Sequence, residues 1–184
     1  MRVIAGRYRG LKIPSPKEDV VKPTLDRVKE NMFNILQFNI TNSVCLDLFC
    51  GSGALGIEAL SRGASEVCFV DVNKQNTLAL DKFLKLHKAT EYCIFNCDFF
   101  DALKTFEREH KKFNIVFVDP PFESNLAEVA IKKILHFGLL ADDGVVVWEH
   151  SAQTEVPKVF EQKIAKSKKY GSVQLEFIKL NPNF

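Results

Sequence analysis

Four aspartates stand at or beside the ends of apolar runs: Asp47, Asp71, Asp98 and Asp119. Each run reads as a β-strand, and open α/β sheets bind ligands at the carboxyl ends of their strands. One such aspartate would ordinarily cap the next helix. Four together point to a ligand site lined by carboxylates. The first lies in the stretch Val44–Gly56, where an apolar run passes through Asp47, Leu48 and Phe49 into Gly51-Ser52-Gly53 before a helix opens at Ala54. Glycines let a backbone approach a ligand closely, and a helix N-terminus offers free N–H groups. Gly51, Gly53 and Gly56 spell the dinucleotide fingerprint, and Asp71 follows where a ribose-binding acid belongs. Asp47 speaks against a pyrophosphate, which it would repel, and for a ligand with a cationic amino group. S-adenosylmethionine (SAM) carries an ammonium and a sulfonium and no phosphate, so it suits the stretch better than NAD; a structural turn is the remaining reading. On this reading Asp71 accepts the ribose hydroxyls, Asp98 the adenine amine, and Asp47 sits by the amino-acid end.

Asp119-Pro120-Pro121-Phe122 is the second chemical signal. Prolines fix φ and remove donors, leaving a rigid loop with free carbonyls. An exocyclic amine on a base is a poor nucleophile because its lone pair is delocalised into the ring. A carboxylate and a carbonyl that accept both of its N–H bonds favour a pyramidal nitrogen with a localised lone pair. Asp119 and the Pro120 carbonyl can do this, Pro121 stiffens the loop, and Phe122 can stack on the base. Methyl transfer in line then needs chiefly positioning and desolvation, and Asp119 need not act as a full base. The bland alternative is a Pro-Pro turn before the next helix.

These groups need a scaffold. Strands are expected at 43–49, 66–71, 92–96, 114–118 and 145–148, alternating with helices at 54–62, 73–88, 99–110 and 125–137. That alternation means βαβ units and a parallel sheet covered on both faces. Residues 164–170 and 173–180 flank a tight turn at Gly171, so they must pair antiparallel. The fold class is α/β: a doubly wound, mostly parallel seven-stranded sheet with a C-terminal antiparallel hairpin, a methyltransferase-type arrangement. Ahead of it, residues 2–13 read as a small β-hairpin with Gly6 and Gly10 about its turn. Arg7, Arg9 and Lys12 cluster around Tyr8, which suits phosphates and stacked bases; an exposed arm is the bland reading. A connector with three prolines leads to Thr24, read as the N-cap of an amphipathic helix over 25–38. Lys29 and Glu30 read as its solvated charged start. One domain spans 1–184, with 1–23 as hairpin and connector.

Composition fits a soluble globular chain of 184 residues, 46% hydrophobic and 26% charged. No apolar run approaches membrane-spanning length, and the first residues lack a signal-peptide core. Five cysteines form an odd set with no C-x-x-C pair, so neither a disulfide framework nor a metal site is expected, and a reducing cytoplasm is. Net charge is +2, unevenly spread: residues 1–29 carry +5, 30–157 carry −7 and 158–184 carry +4. Basic ends around an acidic middle suggest an electrostatic footprint made by the termini. Ordinary solvated lysines explain the C-terminal group equally well.

At these residues the chain resembles the SAM-dependent amino-methyltransferases with a D/N-P-P-Y/F motif, and more specifically the RsmD family of 16S ribosomal RNA guanine-N2 methyltransferases. The opening Arg2 to Gly10, the stretch Lys22-Pro23-Thr24-Leu25-Asp26-Arg27-Val28-Lys29-Glu30, the loop and helix from Asp47 to Ala64, the Val118–Phe122 loop and Lys169-Tyr170-Gly171 all carry the likeness. It implies methylation of one guanine of 16S rRNA, with the assembled small (30S) subunit as preferred substrate, no metal and no membrane. It implies cofactor contacts from Asp47, Phe49, Gly51, Ser52, Gly53, Asp71 and Asp98, with Thr24, Asp26 and Arg27 near cofactor and target base. It also implies RNA docking by Arg7, Tyr8, Arg9, Lys12 and Lys22. Lys22 and Lys29 stand where arginine is usual, which loses the bidentate fork.

Other classes predict different things. A DNA adenine-N6 or cytosine-N4 methyltransferase shares the Asp-Pro-Pro logic, but the chain has no room for a target-recognition domain. A protein-glutamine methyltransferase usually has asparagine at position 119. An NAD oxidoreductase is disfavoured by Asp47. A non-catalytic RNA-binding protein would show no defect on Asp119→Ala.

Overall fold

The computed structural model describes residues 1–13, 23–120 and 125–181, with residues 23–25 described in their backbone alone. Helix α1 (Pro23–Ile35) leads into β1 (Val44–Leu48), α2 (Ala54–Ser61), β2 (Glu66–Val70), α3 (Lys74–Leu86), β3 (Tyr92–Phe95) and α4 (Phe99–Arg108). Then come β4 (Phe113–Val118), α5 (Leu126–His136), β5 (Leu140–Ser151), α6 (Lys158–Glu161), β6 (Ile164–Tyr170) and β7 (Val173–Lys179). The seven strands form one sheet in the order β3-β2-β1-β4-β5-β7-β6. The first five run parallel, while β7 is antiparallel to both β5 and β6.

The strands are apolar on both faces because both faces are covered. On one face Val28 and Met32 of α1, Ile57 and Leu60 of α2 and Leu80 and Leu84 of α3 pack on Cys45, Phe69, Phe117 and Val147. On the other, Ala102 and Leu103 of α4, Ala130 and Ile131 of α5 and Phe160 of α6 pack on Leu46, Leu48, Val118 and Trp148. The chain leaves β1 towards β2 and β3, then crosses back to β4 on the other side of β1. The crevice of this doubly wound sheet therefore opens between β1 and β4.

Register levels the strand ends. Leu48 is opposite both Val70 and Val118, and Val118 is opposite Trp148. The next residues, Phe49, Asp71, Asp119 and Glu149, consequently emerge side by side along the crevice. Asp47 lies two residues deeper than Phe49, between Phe69 and Phe117.

The N-terminal segment is tied down by one carboxylate. Glu58 of α2 is wholly buried, and it accepts the N–H groups of Ile4 (2.8 Å) and Ala5 (3.0 Å). It also pairs with Arg62 at 2.8 Å and with Lys29 of α1 at 3.1 Å. Lys29, only 3% exposed, donates in addition to the Arg2 carbonyl at 2.6 Å. Three parts of the chain thus meet at one side chain.

The structure corrects several expectations. The N-terminal hairpin reduces to one bridge pair, Arg2 opposite Lys12, held by Val3 N–H to Leu11 O and Ile13 N–H to Met1 O, with Gly10 N–H to Val3 O nearer the turn. Helix α1 begins at Pro23, so Thr24 falls in its first turn rather than before it; proline suits that start because the N–H it lacks would be unpaired there. Lys29 is not a solvated helix residue but a buried ion-pair partner. Strand β5 is twelve residues long, because β4 pairs with it again at Phe113–Leu140 after a register shift. Among the described residues no helix is long and apolar enough to cross a membrane.

The sheet ends differ. β3 is a four-residue edge, while β6 is an edge whose Lys166, Lys168 and Lys169 are exposed.

Replacing Glu58 by Gln leaves Lys29 and Arg62 without their counter-charge inside the protein. We expect a loss of about 3–5 kcal/mol in urea unfolding, with the amides of Ile4 and Ala5 losing protection from hydrogen exchange. A change below about 1 kcal/mol, the range of an exposed pair such as Arg7–Glu91, would show that Glu58 is not the anchor.

Candidate active site

A cavity of about 670 Å³ opens at the carboxyl ends of the central strands. Asp47, Phe49, Gly51, Ser52, Asp71, Asp98, Asp119 and Pro120 of the expected site line it, joined by Lys29, Asn76, Phe99 and Glu149.

Strand alternation decides where the acids point. Phe117 and Val147 face α1 and α2, and their i+2 neighbours Asp119 and Glu149 do likewise; Asp47, between Cys45 and the strand end, shares that face. Three carboxyls thereby converge on one side of the sheet. Asp47 is 3% and Glu149 9% exposed. Among the described residues, none of the three has an ion-pair partner.

Burial pushes the Asp47 carboxyl up to about 8, against the lowering effect of the Gly56 N–H, with Asp119 and Asp71 adding repulsion. Burial also raises Asp119. Glu149 is raised by burial first and then by the charge of Asp119. Burial thus favours the protonated form of these carboxyls, and a cation placed among them would favour the ionised form.

The glycine loop is shaped by backbone needs. The chain turns out of β1 through Phe49 at φ 68°, Gly51 at 52° and Gly53 at 75°. Left-handed backbone is uncommon for a residue with a side chain, and at Phe49 it swings the ring against Phe99, centroids 5.2 Å apart. The Gly51 N–H donates to Asp71 at 2.7 Å, and the Gly56 N–H donates to Asp47 at 2.8 Å. A Cβ on Gly56 would lie 2.2 Å from the Phe69 ring, so only glycine lets α2 settle on the sheet. Gly53 does not line the cavity; it caps α2 and packs against Leu80.

Asp71 is oriented by the N–H groups of Gly51 and Asn73 and by the Asn76 amide. Asp98 caps α4 through the Phe100 N–H at 2.8 Å, leaving its other oxygen open. Phe99 and Val72, the latter 75% exposed, give the cavity apolar walls beside these acids.

Two expectations change. Tyr8 is only 9% exposed and sits in the core against His87, so its ring is not offered for stacking. Its neighbour Arg7 is held by Glu91 at 2.8 Å and lies over the Tyr8 ring. Arg27 is exposed and lines not the cavity but a separate open groove, with Arg2, Arg9 and Asp26. Lys12 is exposed. Lys22, the Thr24 side chain, Pro121 and Phe122 lie outside the described residues. Sequence reasoning assigned no part to Glu149, Asn76 or Val72. Glu149 ends an apolar run, as the four aspartates do, and could have been found by that signal; Asn76 and Val72 carried none.

The family model described as Conserved hypothetical protein 95 matches residues 1–179. The chain is 38% identical over 159 residues to Ribosomal RNA small subunit methyltransferase D of Escherichia coli strain K12, covering 86% of this chain and 79% of that one. It is 40% identical over 151 residues to the Haemophilus influenzae protein of the same name, covering 81% and 78%. Among solved structures, Escherichia coli yhhF superposes with a TM-score of 0.85 at 35% identity over 100% of this chain and 99% of that one. The Thermus thermophilus 16S rRNA N2 G1207 methyltransferase (RsmC), solved with AdoMet and guanosine, shares the fold: TM-score 0.73 at 22% identity, over 89% of this chain and 44% of that one. The chain belongs to the Conserved hypothetical protein 95 family, that of RsmD.

The raised Asp47 carboxyl fixes a sign. The folded state keeps its proton up to about 8, whereas an unfolded aspartate loses it near ~4. Folding stability contributed here is therefore lost as pH rises through that window. Asp47→Asn keeps an acceptor for Gly56 and cannot ionise. Without ligand, its melting temperature should exceed that of the unmodified protein at pH 8.5, with the gap closing towards pH 4. A gap that widens towards acid would refute the assignment.

Proposed function

We propose that this member of the RsmD family methylates the exocyclic N2 amine of a guanine in 16S rRNA, using SAM as methyl donor. The cytoplasm is its place of work and the assembled 30S subunit its preferred substrate. The observation that carries the reading is the convergence of Asp47, Asp119 and Glu149 in one cavity without a cationic partner among the described residues. A cationic ligand without phosphate answers that charge, and NAD does not. The names of the Escherichia coli and Haemophilus influenzae relatives support ribosomal RNA of the small subunit as substrate.

SAM supplies a methyl group activated on a sulfonium. The residues of this chain bind and orient. Asp71, held in place by three donors, accepts the ribose hydroxyls. The open oxygen of Asp98 accepts the adenine amine, between Phe99 and Val72. Asp47 faces the amino-acid end. A cation nearby favours the ionised form of Asp119, the form that accepts a hydrogen bond from the guanine N2 amine. The Pro120 carbonyl accepts the second, so the nitrogen lone pair is freed from the ring, and Pro121 and Phe122 would fix and cover the base. Asp119 directs the amine rather than fully deprotonating it, because the methylated nitrogen becomes strongly acidic as it forms.

RNA docks through exposed cations. Arg2, Arg9 and Arg27 line one groove, and Lys12 and Lys22 extend the basic segment; Arg7 contributes less because Glu91 holds it. On this reading Arg27 serves the RNA rather than the cofactor.

The deciding experiment is transfer of labelled methyl from SAM to small subunits from cells lacking this enzyme, beside naked rRNA and duplex DNA. Label should appear in the subunits at N2 of one guanine. Label in DNA alone would move the site to the adenine-N6 or cytosine-N4 class. Asp119→Ala should lower transfer by about 10³-fold or more with SAM affinity changed less than about tenfold. Asp71→Ala should do the reverse, weakening SAM first. Neutralising Arg9 and Arg27 together should weaken RNA binding and reduce its salt slope by about two; an unchanged slope would remove them from the interface.

A further inference from the structure

At the β3 edge of the sheet, Cys68 of β2 lies directly opposite Cys93 of β3. Their sulfurs are 2.7 Å apart and share a thiol hydrogen bond. Both sulfurs stand 3.8 Å from Oε1 of Glu66, which holds the Lys111 ammonium at 2.6 Å. Cys68 is fully buried, whereas Cys93, on the edge strand β3, is only partly buried. Neither thiol takes part in the proposed methyl transfer.

We propose that Cys93 and Cys68 form a peroxide-reactive dithiol that closes into a disulfide between β2 and β3. Three observations carry this. The thiols are already inside contact distance, and adjacent strands place paired Cα atoms about 4.8 Å apart, within the ~4.4–6.8 Å a disulfide spans. One thiol is accessible and the other buried directly behind it, as an attacking and a resolving cysteine must be. A lysine ammonium stands beside them, which favours a thiolate. The Cys93 thiol is lowered by its hydrogen bond with Cys68 first and by Lys111, against burial and the Glu66 carboxylate, whereas Cys68 is raised. Cys93 is therefore the first to ionise.

The chemistry balances with hydrogen peroxide as oxidant. The Cys93 thiolate attacks one peroxide oxygen, the O–O bond breaks, and hydroxide leaves. The sulfenic acid on Cys93 is then attacked by the Cys68 sulfur. The S–S bond forms, the S–O bond breaks, and the departing hydroxide leaves as water with the Cys68 proton. Two thiols lose two electrons in all, and one peroxide becomes two waters.

A metal is the competing occupant, since Glu66, Cys68 and Cys93 present three ligand atoms within 4.8 Å of one another. Tetrahedral metal–sulfur bonds of about 2.3 Å hold sulfurs about 3.8 Å apart. The pair would have to open by roughly an ångström, and Lys111 would have to leave Glu66. Closing to a disulfide asks for a smaller movement in the direction the sulfurs already lean.

The test treats the reduced full chain with hydrogen peroxide and counts thiols. Two of the five cysteines should be lost, with a mass decrease of about 2 Da and one disulfide-linked peptide pair joining positions 68 and 93. In Cys68→Ala the reaction should stop at a sulfenic acid on Cys93, trapped by dimedone. Lys111→Met should slow thiol loss several-fold. Dimedone on both cysteines of the unmodified chain, or a disulfide elsewhere, would overturn the proposal. So would stoichiometric protection of both thiols by added Zn²⁺ with a cobalt–thiolate absorption band, which would make the pair a metal site.

Discussion

Glu58 is the fixed point of the molecule. A wholly buried carboxylate with four donors is costly to assemble and costly to break. Its partners come from the N-terminal segment, α1 and α2, three parts of the chain that share no strand pairing. Because Glu58 is on the helix that follows the glycine loop, the basic segment and the cavity floor share one foundation. Lys29, which lines the cavity, is steadied by the same carboxylate and kept from neutralising the acids deeper in. Losing the anchor would loosen the proposed RNA-facing segment and the mouth of the cavity together.

The acids at the sheet end follow from parity. Strands in register, each with an acid at an equivalent position on the same face, must crowd those acids into one place. Burial, with repulsion between neighbours at Asp47 and Glu149, raises the affinity of these carboxyls for protons. The resulting site favours a compact cation and penalises a phosphate, and it obtains that selectivity from the sheet itself rather than from a loop.

Much of this was legible in the chain. The βαβ rhythm, the reversal at Gly171 and the aspartates at strand ends are local patterns, so strand and helix positions could be read directly. What escaped depends on contacts across the chain. Glu58 drew no role of its own from the sequence, because the amides it accepts come from more than fifty residues away. Lys29 looks like an ordinary charge in an early helical turn for the same reason. Tyr8, flanked by arginines, resembles a stacking platform, yet its ring is drawn into the core beside His87. Arg27 falls on the outer face of α1, which helical spacing alone does not tell from the face towards the cavity. The length of β5 came from a second pairing with β4, not from any apolar run.

Among the described residues the sheet ends in the edge strands β3 and β6, and they meet solvent in different ways. β3 is short, so it gives little backbone to another chain. β6 is longer and presents exposed lysines along its length. An edge strand with unpaired backbone groups is a template for association with a second molecule, and lysine is a common guard against it. Repulsion between these lysines on approaching copies keeps two such edges apart. Much of the positive charge near the C-terminus lies on this edge, where it opposes such pairing. Modification that removes those charges, acetylation for instance, would leave the β6 backbone open to another strand and favour self-association.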